Sequence, residues 1–412
     1  MTSSTTNTAT SVTLDNGLAI THIQTNSPIA WCSVAVNAGS RDDPDNLLGL
    51  AHFVEHTIFK GTTHRRARHI TNRIETVGGE LNAFTTKEYT NIYTTIPAQH
   101  LSRAIQLLAD LIQNSVFPTH ELDRERDVIL EEVAAYQDSP AEAIYDDVED
   151  ILFANSQLGH NILGTAQHIK RISTSDCLNY LHRYYTPNNM VLTIAAPQSA
   201  KRVINIARRQ FSQLHSANTP IRREKPPVTP PQRITHNLNH LHQAHTIIAI
   251  RLPDMFHPLR HALSLLNNIL GGPSMNSLLN AQLREKHGFV YNVDASLSLL
   301  SDCGMMQIYF GCDPTDTNPS LKIIDRITQK LATQPLTPRQ LQAAKQQYCG
   351  QLLLAADSTE WIVNATARAM LYYKQPPSIH DTIRQINSLT PEHILQAAQL
   401  CTLDKATILT YQ

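Results

Sequence analysis

The sequence predicts an α+β protein made of two structurally similar sandwich domains, helices on a mostly antiparallel sheet, related by internal duplication. Three observations carry that reading. Short β-branched strands alternate with amphipathic helices along the chain. Residues 220–231 hold five prolines beside Arg222, Arg223, Glu224 and Lys225, a composition that packs as neither helix nor central strand and reads as an extended linker. The sequences on either side of that linker repeat one another.

In the first repeat, residues 80–84 and 90–94 read as two strands leading into a helix around 104–112. In the second, 290–293 and 306–310 lead likewise into a helix around 321–331. A constant offset of 219 carries Leu122 onto Leu341 and Asp138-Ser139 onto Asp357-Ser358. The same offset puts Gln351 where the first repeat has Glu132, and Ala344 where it has Glu125, so the second copy lacks those carboxylates. The expected organisation is a disordered tail over 1–12, a first domain over 13–215, a linker over 216–232 and a second domain over 233–412.

The densest chemistry lies in His52-Phe53-Val54-Glu55-His56. On a helix turning about 100° per residue, His56 lies about 40° from His52 and one turn further on. Both imidazoles therefore project from one face and can chelate one metal. Glu55 sits about 60° to the other side of His52. Two imidazoles and a carboxylate around Zn²⁺ leave a fourth position for water, whose proton a second carboxylate can accept. The order H-x-x-E-H is the inverzincin signature. Further on, Glu125 and Glu132 are seven apart in a strongly helical run continuing to about Tyr136, and so share a face. An acidic stripe of this kind is by itself a solvated surface. Glu131 points about 100° away from Glu132. In Leu283-Arg284-Glu285-Lys286-His287-Gly288-Phe289-Val290-Tyr291, Arg284 and Tyr291 taken alone read as a surface arginine and a packed tyrosine.

His52–His56 followed 76 residues later by Glu132 resembles the pitrilysin/insulinase family, especially its short members similar to mitochondrial processing peptidase. The resemblance begins at Leu14-Asp15-Asn16-Gly17-Leu18. It includes Ala38-Gly39-Ser40-Arg41-Asp42, Phe59-Lys60-Gly61-Thr62, Gly78-Gly79-Glu80-Leu81, His160-Asn161-Ile162-Leu163-Gly164 and Gly271-Gly272. It implies one Zn²⁺ per chain held by His52, His56 and Glu132 in the domain over 13–215. Glu55 is then the general base, and Glu125 supports the ligands without touching the metal.

The resemblance also implies that Arg284 and Tyr291 reach the scissile region and stabilise a developing oxyanion. Asn82, Ala83, Phe84 and Thr85 become an edge strand onto which an extended peptide adds. By residue pattern alone, an edge strand and an interior strand fit that segment equally. One departure is local: where many relatives have G-G-x-x-S-R-L, this chain has Gly272-Pro273-Ser274-Met275-Asn276-Ser277-Leu278-Leu279, without the arginine.

The implied function is a zinc-dependent endopeptidase hydrolysing extended or unfolded peptides bound by strand addition in a chamber between halves. The alternative is a non-catalytic peptide-binding or assembly subunit of a processing-peptidase-like complex, which need not retain His52, Glu55, His56 and Glu132 together. Long members of the family join two halves of this size and place the Arg/Tyr pair in the half without zinc. This chain carries both motifs, so a homodimer exchanging them is expected, the alternative being a heterodimer with a zinc-less relative. With 34 basic and 35 acidic residues and a net charge of −1, the composition gives no sign of a nucleic-acid or anionic-membrane partner. Six scattered cysteines without a C-x-x-C pair fit free thiols in a reducing compartment. The polar start of the chain resembles neither a signal nor a transit peptide, and no apolar run reaches membrane-spanning length. A cytoplasmic location is expected.

Overall fold

Each repeat supplies one sheet in the computed structural model, which describes residues 9–214, 221–238 and 241–412. The first repeat contributes β1 (Ala9–Thr13), β2 (Ala19–Gln24), β3 (Ile29–Val36), β4 (Glu80–Thr85), β5 (Thr90–Pro97) and β6 (Met190–Ala196), in the order β1-β2-β6-β3-β5-β4. Only β2 and β6 run parallel. The second contributes β7 (Arg233–His236), β8 (Ala244–Leu252), β9 (Val290–Leu299), β10 (Gly304–Cys312) and β11 (Ala406–Tyr411), in the order β7-β11-β8-β10-β9. Its one parallel pair, β7 with β11, stands where β2 and β6 stand in the first. Apart from the added β1, the two sheets share one topology.

Around them, the first repeat forms α1 (Leu50–Thr57), α2 (Ala67–Glu75), α3 (Leu101–Asn114), α4 (Thr119–Gln137), α5 (Pro140–Leu152), α6 (Ala166–Ile169), α7 (Thr174–Tyr184) and α8 (Ala200–Phe211). The second forms α9 (Arg260–Gly271), a π-helical turn (Asn280–Lys286), α10 (Thr317–Thr333), α11 (Pro338–Ala355), α12 (Thr359–Tyr373), α13 (Ile379–Ser388) and α14 (Pro391–Leu400). The first core joins Val34, Ile92 and Leu192 of the sheet to Phe53 of α1, Leu108 of α3, Cys177 of α7 and Phe211 of α8, all fully buried. Burying a side chain of this size contributes about 1.5–3 kcal/mol. The second core joins Ile248, Ile308 and Ile408 to Leu263 and Leu266 of α9, Ile324 of α10 and Ala398 of α14.

Strands β6 and β10 are buried at every position, which requires cover on both faces of each sheet. The second face is covered by exchange. Helix α5, from the first repeat, lays Ile144, Val148 and Leu152 on Ile247, Ala249 and Leu409 of the second sheet, where Tyr411 donates a hydrogen bond to Asp147. Helix α12, from the second repeat, lays Ala367, Met370 and Leu371 on Ala35 and Val191 of the first sheet, and its Asn364 accepts from Asn91 at 3.0 Å. Ser139 and Ser358, the matched residues of the offset, precede these two helices at equivalent places.

The compact units therefore differ from the contiguous domains expected over 13–215 and 233–412. One comprises 1–133, 161–223 and 355–377, and the other 134–160, 224–354 and 378–412. The tail expected through residue 12 also ends sooner, because Ala9–Thr13 pairs with β2 as β1 and Val12 packs on the core. Residues 1–8 and 215–220 lie outside the described residues. The remainder of the expected linker, 221–232, has neither helix nor strand, and β7 begins just after it at Arg233. The side chain of its Arg223 is nonetheless only 9 % exposed, bonded to Asp42 at 2.7 Å and to the Glu88 carbonyl at 2.7 Å. Arg41 holds the Glu88 carboxylate at 2.7 Å. Among the described residues no helix is long and apolar enough to cross a membrane.

Candidate metal centre

Helix α1 carries His52, Glu55 and His56, and its first turn is held from outside. Asp43 accepts from the backbone N–H groups of Gly49 and Ala51, both at 2.8 Å, satisfying donors that the helix itself leaves open. The N-cap residue, Gly49, has φ of 91°, and a Cβ there would sit 2.5 Å from the Leu163 carbonyl oxygen. Burial pushes the Asp43 carboxyl well above its usual range, against the pull of these N–H groups. Asp43→Ala leaves two buried donors unpaired, so a loss of about 2 kcal/mol or more is expected in denaturant unfolding. Unchanged stability would show that water replaces the cap.

His52 is nearly buried, with 9 % of its side chain exposed, and burial lowers its pKa to about 3, which keeps its nitrogens available as neutral ligands. The His52 and His56 rings lie 4.5 Å apart between centroids. Helix α4 brings Glu132 beside them: its Oε2 is 3.6 Å from His56 Nε2 and 3.9 Å from His52 Nε2. One atom from each of the three lies within 4.8 Å of the others, the one such group of three among the described residues. Tetrahedral ligands at zinc distances stand roughly 3.3–3.4 Å apart, so this donor set fits Zn²⁺ after a small contraction. Glu132 is 44 % exposed, which leaves the centre open towards solvent.

Glu125 lies behind His56. Its Oε1 accepts from His56 Nδ1 at 3.1 Å, which directs Nε2 towards Glu132, and its Oε2 meets Lys60 Nζ at 2.5 Å. His52 has no such support, because its buried Nδ1 finds no partner among the described residues. Glu125→Gln should weaken metal binding or activity roughly 10–100-fold. Equal affinity and rate would return Glu125 to a structural ion pair with Lys60.

Glu55 stands apart from the three grouped side chains. Burial pushes its carboxyl above the usual carboxylate range, opposed by the Thr85 hydroxyl and by His56, and the nearby Glu132 charge adds to the rise. Thr85 ends β4, which lies at the edge of the first sheet and packs beside α1. Asn82, Ala83, Phe84 and Thr85 thus share that edge strand, with Phe84 against the rings of Tyr89 and Tyr93.

Arg284 and Tyr291 belong to the second unit. Arg284 is exposed on the π-helical turn, and Tyr291 is 66 % exposed on β9, an edge strand. Neither side chain has a hydrogen bond or ion pair among the described residues. In the second repeat, Gln351 donates to Ser274 at 2.8 Å where the first repeat has Glu132.

Two residues at this centre, Lys60 and Asp43, carry no role in the sequence reading, and Thr85 carries only that of the edge strand. Lys60 lies four after His56, a spacing that places both on one side of a helix. Asp43 reaches α1 only through tertiary packing, as does the contact of Thr85 with Glu55, and no local pattern marks either.

Comparison with known proteins decides the family. The description "Insulinase (Peptidase family M16)" matches residues 19–166, and "Peptidase M16 inactive domain" matches residues 171–348. The chain is 30 % identical over 403 residues to the uncharacterized zinc protease YmxG of Bacillus subtilis, covering 96 % of this chain and 97 % of that protein. The chain belongs to the insulinase family, peptidase family M16. Within that family it is 29 % identical over 408 residues to mitochondrial-processing peptidase subunit beta of Bos taurus, covering 95 % of this chain and 82 % of that one. A protease from Helicobacter pylori has the same fold, with a TM-score of 0.91 at 20 % identity over 98 % of this chain and 100 % of that chain. The first M16 match holds His52, Glu55, His56 and Glu132, whereas the "inactive" description begins inside the first repeat, at residue 171, and runs through Ala344, which stands where the first repeat has Glu125.

Proposed function

We propose that this protein is a zinc-dependent endopeptidase acting on extended or unfolded peptides. The observation that carries the reading is the convergence of His52, His56 and Glu132 within 4.8 Å, with the Glu55 carboxyl held outside that group beside the end of β4. His52, His56 and Glu132 hold one Zn²⁺ per chain, which when bound lowers the pKa of water and polarises a carbonyl. Glu125 fixes the His56 ring. Glu55, its carboxyl held above the usual carboxylate range by burial, accepts the proton of the attacking water and returns it to the leaving amine. The edge of β4, with Asn82, Ala83, Phe84 and Thr85, offers open backbone N–H and C=O groups to any peptide of extended shape, so selectivity rests on side-chain pockets.

Arg284 and Tyr291 donate to the developing oxyanion, each from the second copy of a homodimer. The six free cysteines are consistent with a reducing, cytoplasmic setting. The test is metal content of the purified protein together with mass-spectrometric mapping of cuts in a peptide library. One zinc per chain and internal cuts are expected. Bound peptide without cuts would instead favour the non-catalytic, peptide-binding subunit.

A further inference from the structure

The second unit contains a cavity of about 750 Å³ between the π-helical turn, α9, α10 and α11. None of its nineteen lining residues is acidic, yet Lys286, Arg326 and Lys330 all line it. Among the described residues these three cations have no ion pair or hydrogen bond from their side chains, and their acidic sequence neighbours Glu285 and Asp325 are not part of the lining. Arg326 and Lys330 are four apart on α10, a like-charge spacing that costs stability unless an anion lies between them. Asn268, only 8 % exposed, lines the same space and brings an amide, a donor and an acceptor, to its wall. Ile269, Ile327 and Leu331 give the cavity an apolar wall.

The duplication shows that this space is not a by-product of the fold. The offset of 219 places Arg326 and Lys330 at the positions of Leu107 and Leu111, both fully buried in the first core. There α2 packs over α3, whereas the second repeat has a π-helical turn against α10. Two core leucines of one copy have become two unpaired cations around an opening in the other.

We propose that this cavity is a binding site for a small organic anion, carrying two or more negative charges on an apolar or heterocyclic body. The three cations take the charged groups, Asn268 and the neighbouring glutamines take the polar edge, and the apolar wall takes the body. The volume lies in the range of small-molecule sites, roughly 300–1,000 Å³.

Titration calorimetry of the zinc-loaded protein at low ionic strength, with ADP, pyrophosphate, citrate and adenosine as probes, tests the site. Saturable binding of ADP, weaker binding of pyrophosphate and none of adenosine is expected. A preference for citrate supports the same site with carboxylates as the charged groups. Combined Lys286→Gln, Arg326→Gln and Lys330→Gln should weaken the preferred anion at least about tenfold without lowering the ligand-free melting temperature, because all three are exposed and the Arg326/Lys330 repulsion is relieved. Asn268→Asp, which adds a carboxylate of the same size, should weaken it similarly. No saturable binding of any probe, or binding unchanged in the triple variant, overturns the proposal. Pyrophosphate binding as tightly as ADP overturns the organic body.

Discussion

Glu55→Gln will keep one metal per chain and lose about 10²–10⁴-fold in peptide hydrolysis, the usual effect of removing a positioned base. The geometry separates two kinds of carboxylate. Glu132 presents its oxygen within 4 Å of both imidazoles, whereas Glu55 lies outside that group, beside Thr85 at the end of the edge strand. Gln keeps the shape and the hydrogen-bonding reach of Glu55 but cannot take up a proton at working pH. His52→Ala, His56→Ala and Glu132→Ala should instead release the metal, since each removes one of three donors. Metal analysis and turnover measured on the same preparations distinguish the two outcomes. A Glu55→Gln protein as active as the parent removes Glu55 from the reaction. A Glu132→Ala protein with stoichiometric metal means that the third donor lies elsewhere.

Tyr291→Phe will be nearly inactive alone, and mixing it with Glu55→Gln will restore activity once subunits have exchanged. In a two-fold homodimer each chain lends its Arg284 and Tyr291 to the metal centre of the other, and symmetry makes the loan reciprocal. A mixed dimer then contains one centre with both defects and one with neither. Random exchange yields mixed dimers for about half of all pairs, each with one intact centre of two, so about a quarter of parental activity is the ceiling. The exposure of both side chains, without partners in their own unit, is consistent with a role towards something outside it. A mixture that stays inactive while native mass spectrometry records exchanged subunits shows that Tyr291 acts within its own chain or not at all.

How much of this could be read from the sequence depended on the range of each interaction. His52, Glu55 and His56 were legible because five residues of one helix place them, and helical geometry is local. Glu132 was legible only by family resemblance, since nothing in an acidic stripe says which face meets a metal. The sheets were legible from strand patterns and from the repeat. The helix exchange was not, because α5 and α12 show the same amphipathic pattern whichever sheet they cover. Arg223 reads as linker for a similar reason: its partners Asp42 and Glu88 are distant in sequence, and a proline-rich neighbourhood gives no hint of an ion pair with so little exposure.

That exchange has a consequence for synthesis on the ribosome. The first sheet has all its strands once β6 is made, but α12 follows only some 160 residues later. At about 5–20 residues per second, Ala35, Val191 and their neighbours stay uncovered for roughly 8–32 s. Throughout that interval the nascent chain displays an apolar sheet face that its own later sequence must find before another chain does. A truncated transcript ending in the proline-rich segment would never cover it. Emergence of α12, and not completion of the first repeat, is therefore the step at which this sheet face becomes safe from aggregation.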